Sequence, residues 1–195
     1  MLNRRSFIAG VGATVGLGLT SLPAYSEGVS PARLESRLDQ LVPLIEPVLD
    51  LYNPNTDERE TVRFYGATGY NRSGLAKLNH LLRDWRQEEV VDIDLRLFWG
   101  LAAIRTAALR DGLSGEIQAN SGYRTRKTND QLRLEGYKTA PNSFHMKGKA
   151  VDFKVVGGSV EHVARYAEWL QIGGTGHYRG RFVHADTGEV RRWFG

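Results

Sequence analysis

Ala150-Val151-Asp152-Phe153-Lys154-Val155-Val156 is the stretch on which the fold turns. Branched and aromatic residues alternate with others, which predicts a strand over residues 150–156. Alternation puts Ala150, Asp152 and Lys154 on one face and Val151, Phe153 and Val155 on the other. A carboxylate in the middle of an apolar strand is costly to bury unless something positive meets it. Asp152 therefore asks for a cationic partner.

Candidates lie on both sides of it. Upstream, Ser143-Phe144-His145-Met146-Lys147-Gly148-Lys149 brings His145 close to the strand, and Gly148 lets the connecting loop fold back. Downstream, Phe182-Val183-His184-Ala185-Asp186 alternates again, with Phe182, His184 and Asp186 on one face. If the two strands are neighbours, Asp152, His184 and Asp186 share a face and His145 arrives from the loop. Two imidazoles and one carboxylate are the three-ligand set of a catalytic zinc, with the fourth position left for water. Nitrogen and oxygen donors without sulfur fit zinc best, and leave entry open to other divalent ions. An ordinary reading stands beside this one: surface histidines, with Asp152 paired to Lys149 or Lys154. Residue types and spacing alone leave both open.

Further outward, the first two thirds of the chain read mainly as helices. Residues 27–58 look like a lead-in: a helical stretch over 33–41 is stopped by Pro43 and Pro47, and Asn53-Pro54-Asn55 is a turn. Residues 61–65 predict a strand. Asn71 can cap a helix to about residue 86 with Leu75, Leu78, Leu82 and Trp85 along one stripe, and a second helix spans about 94–110. A short strand at 117–120 and a helix at about 127–134 follow. After the 150–156 strand come an amphipathic helix over 159–170 and a glycine-rich stretch, Gly173-Gly174-Thr175-Gly176, read as a flexible loop. Residues 181–186 and 189–194 predict a hairpin around Thr187-Gly188. Helices first and strands later predict an α+β single domain, a small antiparallel sheet packed by helices, with residues 59–195 as its body.

Composition limits the function classes. Lys and Arg number 26 against 22 Asp and Glu, for a net charge of +4. Residues 1–26 read as an export address: Arg4-Arg5-Ser6-Phe7-Ile8 is a twin-arginine pattern, an apolar run follows to Leu22, and Ala24-Tyr25-Ser26 is a small-x-small cleavage site. The run falls short of the ~20 residues of a membrane span, and glycines interrupt it. Cleavage near residue 26 leaves a charge of +2, which does not argue for a nucleic-acid partner. The expectation is a periplasmic protein delivered by the twin-arginine machinery, with no stable membrane anchor. The chain has no cysteine, which excludes disulfides, thiolate zinc sites and a lipid-modified N-terminal Cys. Export in the folded state agrees with that absence.

The run SFHMKGKAVDF (residues 143–153) resembles the metal motif of the zinc murein peptidases of the D-Ala-D-Ala peptidase/VanX/lysostaphin group. SGYRT at 121–125 resembles that group's upstream motif. GGTGHYRGRFVHADTG at 173–188 and FYGATGYNRSGLAKLNHLLRDWR at 64–86 resemble its murein endopeptidase branch. The resemblance covers nearly the whole chain after residue 26, with the motifs in order. It implies His145, Asp152 and His184 as zinc ligands, Arg124 as the cation that steadies the substrate carbonyl, and Ser143 as a residue that orients substrate or ligand. Three residues before His184, where several members carry an acidic base, this chain has Arg181. Asp186 is therefore read as the general base, with a supporting hydrogen bond to a metal-bound histidine as its alternative role. His177 stands between substrate contact and no role. His80 and His162 read as solvated. The implied substrates are stem or cross-link peptides of peptidoglycan, cut by an endopeptidase. A carboxypeptidase trimming terminal residues, or a wall-binding module without activity, is the alternative.

Overall fold

The structure, a computed structural model, describes residues 36–195. Residues 1–26, read as the export address, lie outside them. Among the described residues no helix is long and apolar enough to cross a membrane.

The strands are β1 (Val48–Asn53), β2 (Glu58–Arg63), β3 (Tyr65–Gly66), β4 (Gly69–Tyr70), β5 (Ile117–Ser121), β6 (Ala150–Val155), β7 (Gly174–Tyr178), β8 (Phe182–Asp186) and β9 (Arg191–Phe194). The helices are α1 (Arg37–Leu41), α2 (Arg72–Leu81), α3 (Leu95–Arg110), α4 (Arg126–Leu134) and α5 (Val160–Leu170). In place of the small antiparallel sheet that the sequence predicts, seven strands form one mixed sheet in the order β2-β1-β5-β6-β8-β7-β9. The pairings β1–β5 and β7–β9 are parallel. From residue 36 onward the stretch read as a lead-in contributes α1 and β1, and β1 lies inside the sheet. Leu49 and Leu51 of β1 are fully buried. Flanking prolines and the Asn-Pro turn obscure that strand in the sequence.

Cross-strand register lines up one apolar face. Leu51 pairs with Ile117 and Ile117 with Val155, while Ala119, Phe153 and Val183 form the adjacent row. The helices α3 and α5 pack on this sheet and on each other. Helix α3 starts at Asp94, whose carboxylate accepts from Arg96 N at 3.0 Å, a cap of about 1 kcal/mol. Helix α2 is capped by Asn71 as expected but ends at Leu81 rather than near residue 86. The Leu82 carbonyl accepts from Tyr123 N at 2.7 Å, and Asp84 pairs through its backbone with Glu89. These tertiary bonds take up groups that a longer helix would use. Trp85 is only partly buried and carries Arg86 stacked on its ring at 4.2 Å.

Two further expectations fail in the last third. Glycines 174 and 176 lie in a buried strand, β7, rather than in a flexible loop. The predicted hairpin of residues 181–194 does not form either. Strand β8 pairs with β6 and β7, and β9 passes to the far side of β7. The hairpin partner of β8 is β7, joined by a tight turn at residues 179–181.

Candidate metal centre

On the opposite face of the sheet, register builds one continuous row. Ser121 of β5 pairs with Asp152 of β6, Asp152 with His184 of β8, His184 with Gly176 of β7, and Gly176 with Trp193 of β9. A register shift between Ala119 and Ser121 inserts one residue into β5. Such a bulge re-aims side chains, and here Ser121 joins the Asp152 row although Ala119 faces the core.

His145 enters from a 3-10 turn at Phe144–Lys147. Ser143 caps that turn, its Oγ accepting from His145 N at 3.3 Å. The turn ends at Gly148, with φ of 63° in the left-handed region. A Cβ there would also lie 2.8 Å from the Asp92 carbonyl, so the fold-back expected of Gly148 has both a conformational and a steric reason. The result is a buried imidazole whose Nδ1 donates to the Gly122 carbonyl at 2.6 Å.

The three expected ligands converge. Asp152 Oδ1 lies 2.8 Å from His184 Nδ1 and 3.3 Å from His145 Nε2, and the two ring nitrogens are 3.2 Å apart. Among the described residues this is the one group of three His, Cys, Asp or Glu side chains disposed to hold a metal ion. Donors about 2.0–2.1 Å from a tetrahedral zinc are themselves separated by roughly 3.3–3.4 Å, so the set fits with small adjustments.

The hydrogen bonding makes the same point. With His145 Nδ1–H committed to Gly122, its Nε2 lone pair faces Asp152, and His184 spans Asp152 through Nδ1 and Asp186 through Nε2. Such a cluster needs a cation. Burial, and then the charge of Arg124, push His145 down to about 4, so it stays neutral. Burial also works against protonating His184, but hydrogen bonds to Asp152 and Asp186 outweigh it and raise this residue to about 9. A proton there fills the place that suits a metal. Burial tends to raise Asp152, yet His145 and His184 hold it well below the usual carboxylate range.

The structure brings Arg124 and Asp186 to this cluster in supporting positions. Arg124 Nη2 donates to Asp152 Oδ2 at 2.8 Å and its Nε to Ser121 Oγ at 2.9 Å, so two of its donor atoms face the ligand rather than a substrate. Asp186 is fully buried. It accepts from Gly188 N, Gly174 N and both Nη atoms of Arg191, at 2.7–3.2 Å. It touches His184 at the ring nitrogen turned away from Asp152 and His145. The expected base thus sits behind a ligand with its oxygens already engaged. Burial raises its pKa, but the bonds from His184 and Arg191 hold it far below the ordinary value.

His177 is not brought to the site. It pairs with Val183, so it lies on the helix-covered face, with Nε2 3.8 Å from Glu161 of α5. Arg181 is exposed, its guanidinium 5.6 Å from the Phe182 ring. Three neighbours escaped the sequence reading: Arg191, Trp193 and Tyr178. Glycine at alternate positions of β7 was the available signal, because it bares one face of a strand for a neighbouring side chain.

The mixed sheet thus gathers on one face a His-Asp-His group that could hold a metal ion, and the comparisons with known proteins supply the class, a metallopeptidase. The chain belongs to the peptidoglycan L,D-endopeptidase MepK family, whose pattern matches residues 46–193. It is 33% identical over 192 residues to peptidoglycan L,D-endopeptidase MepK of Escherichia coli (strain K12), covering 98% of this chain and 97% of that protein. A probable peptidoglycan L,D-endopeptidase MepK of Haemophilus influenzae is 40% identical over 150 residues, 76% of this chain and 79% of that protein. No solved structure gives a significant match.

Proposed function

We propose that the protein is a peptidoglycan endopeptidase that hydrolyses an L,D peptide bond in wall cross-links with one zinc ion held by His145, Asp152 and His184. The observation that carries the zinc site is the convergence of two imidazole nitrogens and a carboxylate oxygen, at 2.8–3.3 Å, on one face of the sheet. The family and its named relatives support the peptidase activity and the substrate class.

The chain's own residues prepare the site. The Gly122 carbonyl holds the proton of His145 on Nδ1, leaving Nε2 to ligate. Asp186 does the same for His184 from behind, and Arg191 holds Asp186. Such supporting bonds orient metal ligands and raise their basicity. Arg124 neutralises the outer oxygen of Asp152 and leaves the inner one for the metal. Ser143 acts on the ligand rather than on the substrate, by capping the turn that carries His145. A zinc ion held by His145, Asp152 and His184 would supply a Lewis acid and would bring the pKa of water to about 7.

Digesting purified peptidoglycan with the protein, with and without a zinc chelator, and separating the fragments tests the proposal. Chelator-sensitive loss of cross-linked fragments is the expected result. Intact cross-links with zinc-loaded protein would sink it. The twin-arginine pattern and the small-x-small site near residue 26 support export of this enzyme to the periplasm. Replacing Arg4 and Arg5 together by Lys is expected to strand precursor in the cytoplasm.

A further inference from the structure

Beside the metal ligands the site face carries an aromatic arrangement to which none of the roles above gives a function. Trp193 pairs in register with Gly176, and Gly176 with His184. The indole lies flat over the glycine: a Cβ on residue 176 would be 2.7 Å from two ring carbons of Trp193 and 2.9 Å from its Nε1. Its ring centroid is 5.2 Å from that of His184. Glycine at 176 thus makes room for an indole next to a metal ligand.

The indole nitrogen has only a proton to give, and it donates it to the hydroxyl of Tyr178 at 3.2 Å. That bond holds the phenol oxygen at the edge of the indole that covers Gly176, the residue paired with His184. Two other contacts hold the ring. It stacks on Phe182 with centroids 4.5 Å apart and planes 23° from parallel, and it fills the space that a Cβ on residue 195 would need. Because the hydroxyl accepts from Trp193, its own O–H remains to donate, and none of the described residues takes it.

From this geometry we propose that Tyr178 is a catalytic residue: its neutral hydroxyl donates a hydrogen bond to the scissile carbonyl oxygen as negative charge develops there. Trp193 is its positioning residue. This assigns to Tyr178 the donor role that Arg124 does not fill with Nε and Nη2, which are committed to Ser121 and Asp152. No bond to Tyr178 forms and no proton need leave it; the phenol stabilises charge and returns unchanged. The inference rests on the peptidase reading above.

The test uses the zinc-loaded protein, a cross-linked muropeptide dimer as substrate, and a phosphinate pseudopeptide whose tetrahedral phosphorus replaces the scissile carbon. Tyr178→Phe is expected to keep its zinc and a KM within twofold of the parent, while kcat falls roughly a hundredfold or more, as for loss of one oxyanion donor. Affinity for the phosphinate, measured by calorimetry, should fall by a similar factor. Trp193→Phe keeps an aromatic wall but frees the phenol, so kcat and phosphinate affinity should fall about tenfold with zinc retained. If an active parent is accompanied by Tyr178→Phe with kcat and phosphinate affinity within threefold, or with a change in KM alone, the inference is wrong. Should Tyr178→Phe lose its zinc, an unaltered kcat in Trp193→Phe overturns it equally. A parent protein that opens no cross-link removes the peptidase reading and this inference together.

Discussion

Asp186→Asn separates the two roles open to that carboxylate. In the native protein Oδ1 accepts from Gly174 N, Gly188 N and Arg191 Nη1, and Oδ2 from Arg191 Nη2 at 2.7 Å, with His184 Nε2 at 3.3 Å. An asparagine oriented to satisfy the two backbone amides must place its NH2 where Oδ2 was. Donors then face donors: Arg191 Nη2 loses its acceptor, and so does the outer proton of His184. One fully buried polar group is left mispaired, at a cost of about 1–3 kcal/mol of folding stability. His184 loses the bond that selects its ligating nitrogen, and zinc affinity should fall by roughly 10–100-fold, about 1.4–2.8 kcal/mol. Urea unfolding of the metal-free protein reads the first quantity. Competition for zinc with a chelator of known affinity reads the second. At saturating zinc, turnover should return to within about tenfold of the parent. If instead the variant binds zinc as tightly as the parent and turnover at saturation is a hundredfold down, Asp186 is the general base and the reasoning from its buried contacts is refuted.

Other outcomes follow from the same structure. The parent is expected to bind about one zinc per chain; His145→Ala and His184→Ala should each lose most of it by elemental analysis, and stoichiometric metal in both would dismiss the site. Glu58 is held down from 4.5 to about 2, chiefly by its hydrogen bond from Arg83. A depressed carboxylate stabilises the fold above pH 4.5, and that contribution disappears as the pH falls from 4.5 to about 2. The difference in urea midpoint between parent and Glu58→Gln should therefore be present at pH 7 and vanish near pH 2; a difference independent of pH would mean that the charge is not its source. Asp84 is buried and accepts from both the amide and the hydroxyl of Thr125, at 2.8 and 2.9 Å. Asp84→Ala leaves both donors buried without a partner, so it should cost about 2–4 kcal/mol. Unfolding within 0.5 kcal/mol of the parent would show that this loop does not hold the Arg124 segment.

The metal reading of His145, Asp152 and His184 came from the motif resemblance, since spacing left it open, but their convergence was legible in the sequence because its causes are local. Period-two alternation assigns Asp152 and His184 to faces of their strands whatever surrounds them, and Gly148 announces a fold-back for His145 through a backbone conformation that glycine adopts cheaply. Helix α3 declared itself through the helical spacing of its apolar residues. Tertiary structure alone decided which strand lies beside which. Strand β9 has the same composition whether it pairs with β8 or passes to the far side of β7, and only that choice puts Arg191 on Asp186 and Trp193 over Gly176. The same holds for Asp186: alternation places it on the face of His184, but whether it meets the open or the closed side of the imidazole depends on ring orientation, set by Asp152 in front and Arg191 behind. His177 makes the point in reverse. Its neighbourhood in sequence to a glycine-rich segment suggested the site, yet pairing with Val183 turned it to the helix-covered face, because a sheet position belongs to one side or the other and register chooses which.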